Sequence, residues 1–269
     1  MIHNIEPQVF DNQFRHETPD ENSFILYIKD NAVLTRETEE GVAFPSPDCN
    51  TPKGCTYLFT IGEFKFFLAP AAKPWGDFKY LNLMDFRLKK PKAMAYAAAT
   101  ACHLAAWYAD NRFCGRCGAE TVPDAKERML RCGCGNMIYP RISPAVIVGV
   151  IDGDRLLMTK YAGRIYRNYA LIAGFTEIGE PIEETVRREV LEEAGVRVKN
   201  IRFYKSQPWP FSGSLLMGFF CDLEGSDTIV MDAEELSVAE WVRREDISVE
   251  ADDISLTNEM IIEFKENRV

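Results

Sequence analysis

From Gly174 to Val196 the chain reads GFTEIGEPIEETVRREVLEEAGV, a 23-residue stretch that fits the pattern G-x5-E-x7-R-E-U-x-E-E-x-G-U, U being aliphatic, at every fixed position. Pro181 suits a first helical position and Gly195 a stop, so residues 181–194 are predicted as one helix. Ile182, Val186, Val190 and Ala194 recur every fourth residue and form its buried stripe. At about 100° per residue, Glu189, Glu192 and Glu193 share an arc beside that stripe. Like charges so placed repel, and partial burial makes this worse unless a cation sits among them. Hard oxygen ligands of this kind suit Mg or Mn, which keep open positions for phosphate oxygens and water. The predicted chemistry is hydrolysis of a phosphoanhydride. A solvated acidic face is the competing reading for Glu-rich helices in general. Arg188 is placed to fix a carboxylate, Glu184 or Glu192, one turn away. Gly174 and Gly179 are read as letting the incoming loop bend.

This stretch resembles the signature of the Nudix hydrolases, which cleave nucleoside diphosphates linked to another moiety. Downstream, Ser206-Gln207-Pro208-Trp209-Pro210-Phe211 resembles the motif of the NADH pyrophosphatase branch, whose members split NAD(H) into nicotinamide mononucleotide and AMP. The branch continues PxSLM; here Ser214 and Leu215 match, whereas Ser212 and Leu216 depart. Read from its residues alone, SQPWPF is a rigid turn carrying two aromatic plates. Those plates either pack into the core or, with the Gln207 amide, line a nucleobase or nicotinamide pocket.

Cys114-Gly115-Arg116-Cys117 and Cys132-Gly133-Cys134 form two tight cysteine pairs. Four thiolates at this spacing are read as a zinc ribbon. A redox pair or plain buried thiols are the competing readings. The branch's second knuckle is CxxC, but Arg131 stands where its earlier cysteine is expected, and Cys132 is displaced by one.

The resemblance implies the following sites. Glu189, Glu192 and Glu193 correspond to metal ligands, with Glu193 orienting or deprotonating water and Arg188 beside them. Glu180 contributes from outside the metal's direct ligands. Glu235, with Glu234 as competitor, supplies a further metal ligand. Phe175, Tyr139, Gln207, Trp209 and Ser214 bind substrate, and Tyr139 has ribbon packing as its alternative. Cys114, Cys117, Cys132 and Cys134 hold zinc. The implied reaction is Mg- or Mn-dependent hydrolysis of NAD(H), with removal of NAD caps from RNA 5' ends as an inherited activity and a homodimer as the implied assembly. Two alternatives are a Nudix hydrolase of ADP-ribose or another nucleotide sugar and a noncatalytic nucleotide-sensing module.

At 269 residues the chain suits two or three domains. The expected order is a β-rich N-terminal domain with closing helix over residues 1–109, a ribbon over 110–140 and a catalytic domain over 141–269. The expected class is α/β, a Nudix α/β/α sandwich with a mixed sheet. Short apolar runs at 24–28, 57–61 and 64–68 suggest the N-terminal strands, and a helix is expected over about 91–109. The uncharged part of that helix, 93–109, is Ala-rich and is read as packed rather than membrane-spanning. The strand 145–151 is expected to turn at Asp152-Gly153-Asp154 into 155–159.

A net charge of -10 disfavours broad binding to nucleic acid backbones. Arg128, Arg131, Arg141, Lys160, Arg164 and Arg167 are local basic residues that are either solvated surface charge or tolerant of a short RNA 5' end. MIHNIEPQVF lacks a basic region followed by an apolar run, and the eight cysteines show no secretory pattern, so the expected location is the cytoplasm.

Overall fold

The structure is a computed structural model that describes residues 1–163 and 168–269. It divides into two compact units, one of residues 2–141 with 210–213, the other of Met1, Ile142–Trp209 and Ser214–Val269.

The first unit holds a seven-stranded sheet built from β1 (Phe10–Asp11), β2 (Ser23–Lys29), β3 (Ala32–Thr38), β4 (Gly41–Ala43), β5 (Thr56–Ile61), β6 (Phe64–Ala69) and β7 (Lys79–Asn82). Its order is β1-β5-β6-β2-β3-β4, with β7 pairing β3. The three apolar runs expected as strands are β2, β5 and β6. Helix α1 (Lys92–Asp110) follows; Ala95, Ala97, Ala98, Ala99 and Ala101 are buried along it, so its small residues let the backbone approach the sheet. No helix among the described residues is long and apolar enough to cross a membrane. The ribbon is a three-stranded sheet of β8 (Val122–Pro123), β9 (Leu130–Arg131) and β10 (Met137–Ile138), in the order β10-β9-β8.

The second unit is built on β11 (Ser143–Asp152), β12 (Arg155–Tyr161), β13 (Ile172–Phe175), β14 (Arg197–Trp209), β15 (Ser214–Glu224) and β16 (Leu236–Arg243), with α2 (Ile182–Ala194) and α3 (Leu256–Lys265). The sheet is mixed. Its order is β14-β15-β11-β12-β16, with β11 and β15 parallel and β13 antiparallel to β11. Alternation along the strands supplies two cores. Val146, Val148, Val150, Leu157 and Ile172 pack with Val186, Val190 and Ala194 of α2. Ile147, Leu156, Met158, Leu171 and Phe220 pack with Leu256, Met260 and Phe264 of α3. A strand covered on both faces reads as an unbroken aliphatic run, which is why VIVGV carried no polar alternation. The expected hairpin forms with Asp152 opposite Arg155 and Gly153 at φ 61°.

One expectation fails here. SQPWPF is not a turn over its length, because Ser206, Gln207, Pro208 and Trp209 pair with Met217, Leu216, Leu215 and Ser214 as the last rungs of β14. Proline is tolerated there because β14 is an edge strand and needs no N–H on its outer side.

Candidate active site

Helix α2 forms where the spacing placed it, one residue shorter at its start. Pro181 is the N-cap, extended at φ -65° and ψ 148°, and Gly195 ends the helix in the left-handed region at φ 71°. A side chain at Gly195 would also meet Val230, its Cβ 2.8 Å from that of Val230. Val186 and Val190 are wholly buried, and burial of each is worth roughly 1.5–3 kcal/mol. That stripe fixes how the helix rolls, and the roll decides where its carboxylates go. Glu189 and Glu193 are 8% and 2% exposed, whereas Glu192 faces solvent.

Arg188 is the hub of the acidic face. Its Nε and Nη2 donate to the two oxygens of Glu180, both at 2.9 Å; Nη1 donates to Glu189 at 2.7 Å and to Glu192 at 3.0 Å; Nη2 also donates to the Phe175 carbonyl at 2.9 Å. Glu184 is not among these partners and instead accepts from Arg187 at 2.8 Å. Arg188 therefore reaches back across the loop rather than along its own helix to Glu184. The guanidinium fork, with Thr185 Oγ1 donating at 2.8 Å, holds the Glu180 carboxyl at about 2. Glu180 is thus a structural anion tying loop to helix.

Glu189 is pushed the other way. Burial raises its carboxyl, Arg188 opposes that, and the like charges of Glu192 and Glu235 add to the rise. Glu235 lies in the turn before β16, and its charge bears on Glu189. Glu234 takes a local role, its N–H donating to Asp232 Oδ1 at 2.8 Å.

Gly174 has a role other than bending the loop. It lies on β13 opposite Val146, and an added Cβ would stand 1.9 Å from Cδ of Glu189 and 2.1 Å from both its oxygens. The Glu189 carboxylate rests against the bare backbone there. Gly179, at φ 89°, does supply the bend.

The residues proposed to bind substrate fare differently. Phe175, the last residue of β13, is half exposed beside this acidic face. Trp209 and Ser214 are paired at the end of β14 and β15, with Ser214 buried. Gln207 is wholly buried, and its amide is spent on the backbone: Nε2 donates to the Ile254 carbonyl and Oε1 accepts from the Leu256 N–H, both at 2.7 Å. It therefore fixes the start of α3. In the other unit, the Tyr139 ring is half exposed, and its hydroxyl donates to Glu127 at 3.0 Å.

The ribbon brings all four cysteines together. Their sulfurs lie within 4.8 Å of one another, with Cys114 to Cys134 at 3.8 Å and Cys117 to Cys132 at 3.4 Å. Zn–S bonds of ~2.3 Å in a tetrahedron place sulfurs about 3.8 Å apart, so the C-x-C knuckle fits zinc. The N–H groups of Arg116 and Cys117, with the Asn136 amide, pull the Cys114 thiol down to about 6, while, against the Cys134 N–H, bonding to the Cys117 sulfur and burial push Cys132 up to about 12, so one thiolate of the four is favoured and another is not. Arg131 pairs with Asp124, holding that carboxyl at about 2. Among the described residues this is the one set of three or more His, Cys, Asp or Glu side chains drawn into an ion-sized cluster.

The local basic residues mostly have partners. Arg128 is partly buried and donates to the Leu58 carbonyl and to Asn12, so its guanidinium is engaged within the fold. Lys160 sits over the Tyr169 ring at 4.1 Å. The Arg141 carbonyl is hydrogen bonded to His103 at 2.9 Å, and Arg164 and Arg167 lie outside the described residues.

Residues 141–263 match the model of the NUDIX domain, and residues 109–139 that of the NADH pyrophosphatase zinc ribbon domain. The chain is 41% identical over 145 residues to a protein of Enterobacter sp. named NAD-capped RNA hydrolase NudC, covering 54% of this chain and 56% of that protein. A protein of the same name from Pseudomonas syringae pv. tomato is 40% identical over 167 residues, covering 62% and 60%. The chain thus spans less than two thirds of the length of these curated relatives. A NUDIX hydrolase crystal structure from Nitrosomonas europaea matches at a TM-score of 0.50 and 25% identity, covering 58% of this chain and 92% of that one.

Proposed function

We propose, for a chain that carries a NUDIX domain behind an NADH pyrophosphatase zinc ribbon domain, hydrolysis of the pyrophosphate bond of NAD(H) to nicotinamide mononucleotide and AMP, extending to the NAD cap of RNA. The observation that carries this reading is the acidic face itself: Glu189 raised by burial and by Glu192 and Glu235, held against the Gly174 backbone within reach of Arg188. An excess of carboxylates in a partly buried place fits a divalent cation and destabilises the helix without one.

Glu189, Glu192, Glu193 and Glu235 are the residues that would hold Mg or Mn. An ion held there would supply neutralisation of the pyrophosphate charge and a lowered pKa for bound water. The chain's own residues do the rest. Glu180 and Arg188 set the height of the loop against α2, and Gly174 sets the position of Glu189. Glu193, the most buried acid of the set, orients the attacking water and takes its proton. Phe175 offers a half-exposed ring for stacking on a base or on nicotinamide, with Trp209 and Ser214 at the strand end as further candidates; Tyr139 is a candidate on the resemblance alone. The zinc ribbon is structural. We assign the chain to the cytoplasm and to a homodimer; its eight free cysteines suit a reducing compartment.

The test is a substrate panel with Mg or Mn: NADH, NAD, ADP-ribose, a diadenosine polyphosphate and an NAD-capped RNA. This reading expects nicotinamide mononucleotide release from NADH or NAD at higher kcat/KM than any turnover of ADP-ribose. Preference for ADP-ribose would replace it with a nucleotide-sugar hydrolase.

A further inference from the structure

The N-terminal unit holds a cavity of about 490 Å³ lined by none of the residues assigned above to hydrolysis or zinc. One wall is aromatic. The Trp75 indole, 41% exposed, meets the Tyr27 ring edge-on at 5.4 Å and tilts against Phe78 at 5.3 Å, which leaves part of the indole open. The other wall is polar, formed by Asp48 and Asn50.

Both walls are held in shape before any ligand arrives. Tyr80 accepts from the Ala72 N–H at 3.2 Å and donates to the Ala72 carbonyl at 2.9 Å, pinning the segment that carries Pro70. Asp48 Oδ1 accepts from the Asn50 N–H at 2.9 Å and from Thr51 Oγ1 at 3.3 Å, closing the opposite turn before Pro52. Oδ2 has one partner, the Asn50 amide at 3.4 Å, and so retains acceptor capacity. Exposed Lys53 and Lys73 directly follow the lining residues Pro52 and Ala72 in the chain. A planar π surface, a carboxylate acceptor in the same lining and nearby cations are complementary to one ligand chemistry: a flat base bearing an amino group, joined to a phosphate.

We propose that this cavity is a nucleotide subsite in which a base stacks on Trp75, its amino group donates to Asp48, and Lys53 and Lys73 face the phosphate. The nucleotide is either free or one unit of a single-stranded RNA. The volume accommodates a mononucleotide and lies within the range of small-molecule sites.

The full chain labelled with 15N-tryptophan tests this in a buffer without added Mg or Mn, where no hydrolysis interferes. The Trp75 indole signal is identified by its loss in Trp75→Phe. Saturable movement of that signal is expected on titration with AMP, with 5'-phosphorylated pentaadenylate, or with both, and the active arm identifies free nucleotide or RNA as the source. Measured by isothermal titration calorimetry, Trp75→Leu, which keeps an apolar side chain and removes the stacking face, should weaken binding of the active ligand about tenfold, while Trp75→Phe stays close to the parent. NADH hydrolysis should be the same in both variants. A Trp75 signal unmoved by either ligand, or equal affinity in Trp75→Leu, overturns the subsite and leaves the hydrolytic reading untouched.

Discussion

The Glu189 carboxylate occupies the space where any side chain at position 174 would stand, 1.9 Å from an ideal Cβ on Gly174. The glycine is therefore a seat for the acid. Gly174→Ala should drive Glu189 out of position and lower kcat by about a hundredfold, the scale of a 1 Å misplacement in an active site. Thermal unfolding should still be cooperative. Unchanged kcat in this variant would mean that Glu189 is not needed where the fold holds it.

Arg188 should not be replaceable by lysine. Its fork binds both oxygens of Glu180 while a third nitrogen serves Glu189 and Glu192, and an ammonium cannot reproduce that geometry. Arg188→Lys is expected to cut kcat roughly 10–100-fold with KM changed less. Steady-state kinetics on NADH measure the split.

Acid should loosen the same contact. The Glu180 carboxyl is held at about 2 against an ordinary 4.5, first by its hydrogen bonds from Arg188. A depressed carboxylate contributes stability that is complete above its unfolded value and is lost as pH falls from about 4.5 toward about 2. Melting temperature followed over this window without added metal should fall less steeply in Arg188→Met than in the parent chain. Parallel curves would remove Glu180 as the source.

Gln207 should act on stability. Both ends of its buried amide are bonded to backbone at Ile254 and Leu256, so Gln207→Leu leaves two backbone groups unpaired. A cost of about 2–4 kcal/mol to the unit that contains α3 is expected from denaturant unfolding, with KM for NADH within about twofold. A raised KM at full stability would restore Gln207 to the substrate pocket.

The ribbon should bind one zinc per chain, and Cys132→Ser should lose it. Metal analysis of the purified protein checks both, since the displaced cysteine is already within bonding geometry of its partners. Zinc retained at full stoichiometry in Cys132→Ser would point to a different ligand set.

The helix was legible to within a residue because three local signals agree: an apolar period of four, Pro181 before it and Gly195 after it. The four cysteines were legible by spacing, even with Cys132 displaced. What stayed hidden depends on partners distant in the chain. Pro208 and Trp209 look like a turn until β15 pairs with them, and the edge position that tolerates Pro208 is a property of the whole sheet. Gln207 looks like a ligand group because nothing local announces that residues 254–256 will use its amide. Arg128 looks like a phosphate contact until the fold gives it the Leu58 carbonyl as a partner. Gly174 has an ordinary loop reading until α2 brings Glu189 onto it.

The most direct test of the acidic face is NADH hydrolysis with Mg or Mn in heavy-oxygen water, followed by mass spectrometry, for the parent chain and Glu193→Gln. The expected result is nicotinamide mononucleotide and AMP with one heavy oxygen incorporated per bond broken, strict dependence on the metal, and near-complete loss of turnover in a Glu193→Gln protein that remains folded. Parent-level turnover in Glu193→Gln, or hydrolysis undiminished in chelator, would contradict it.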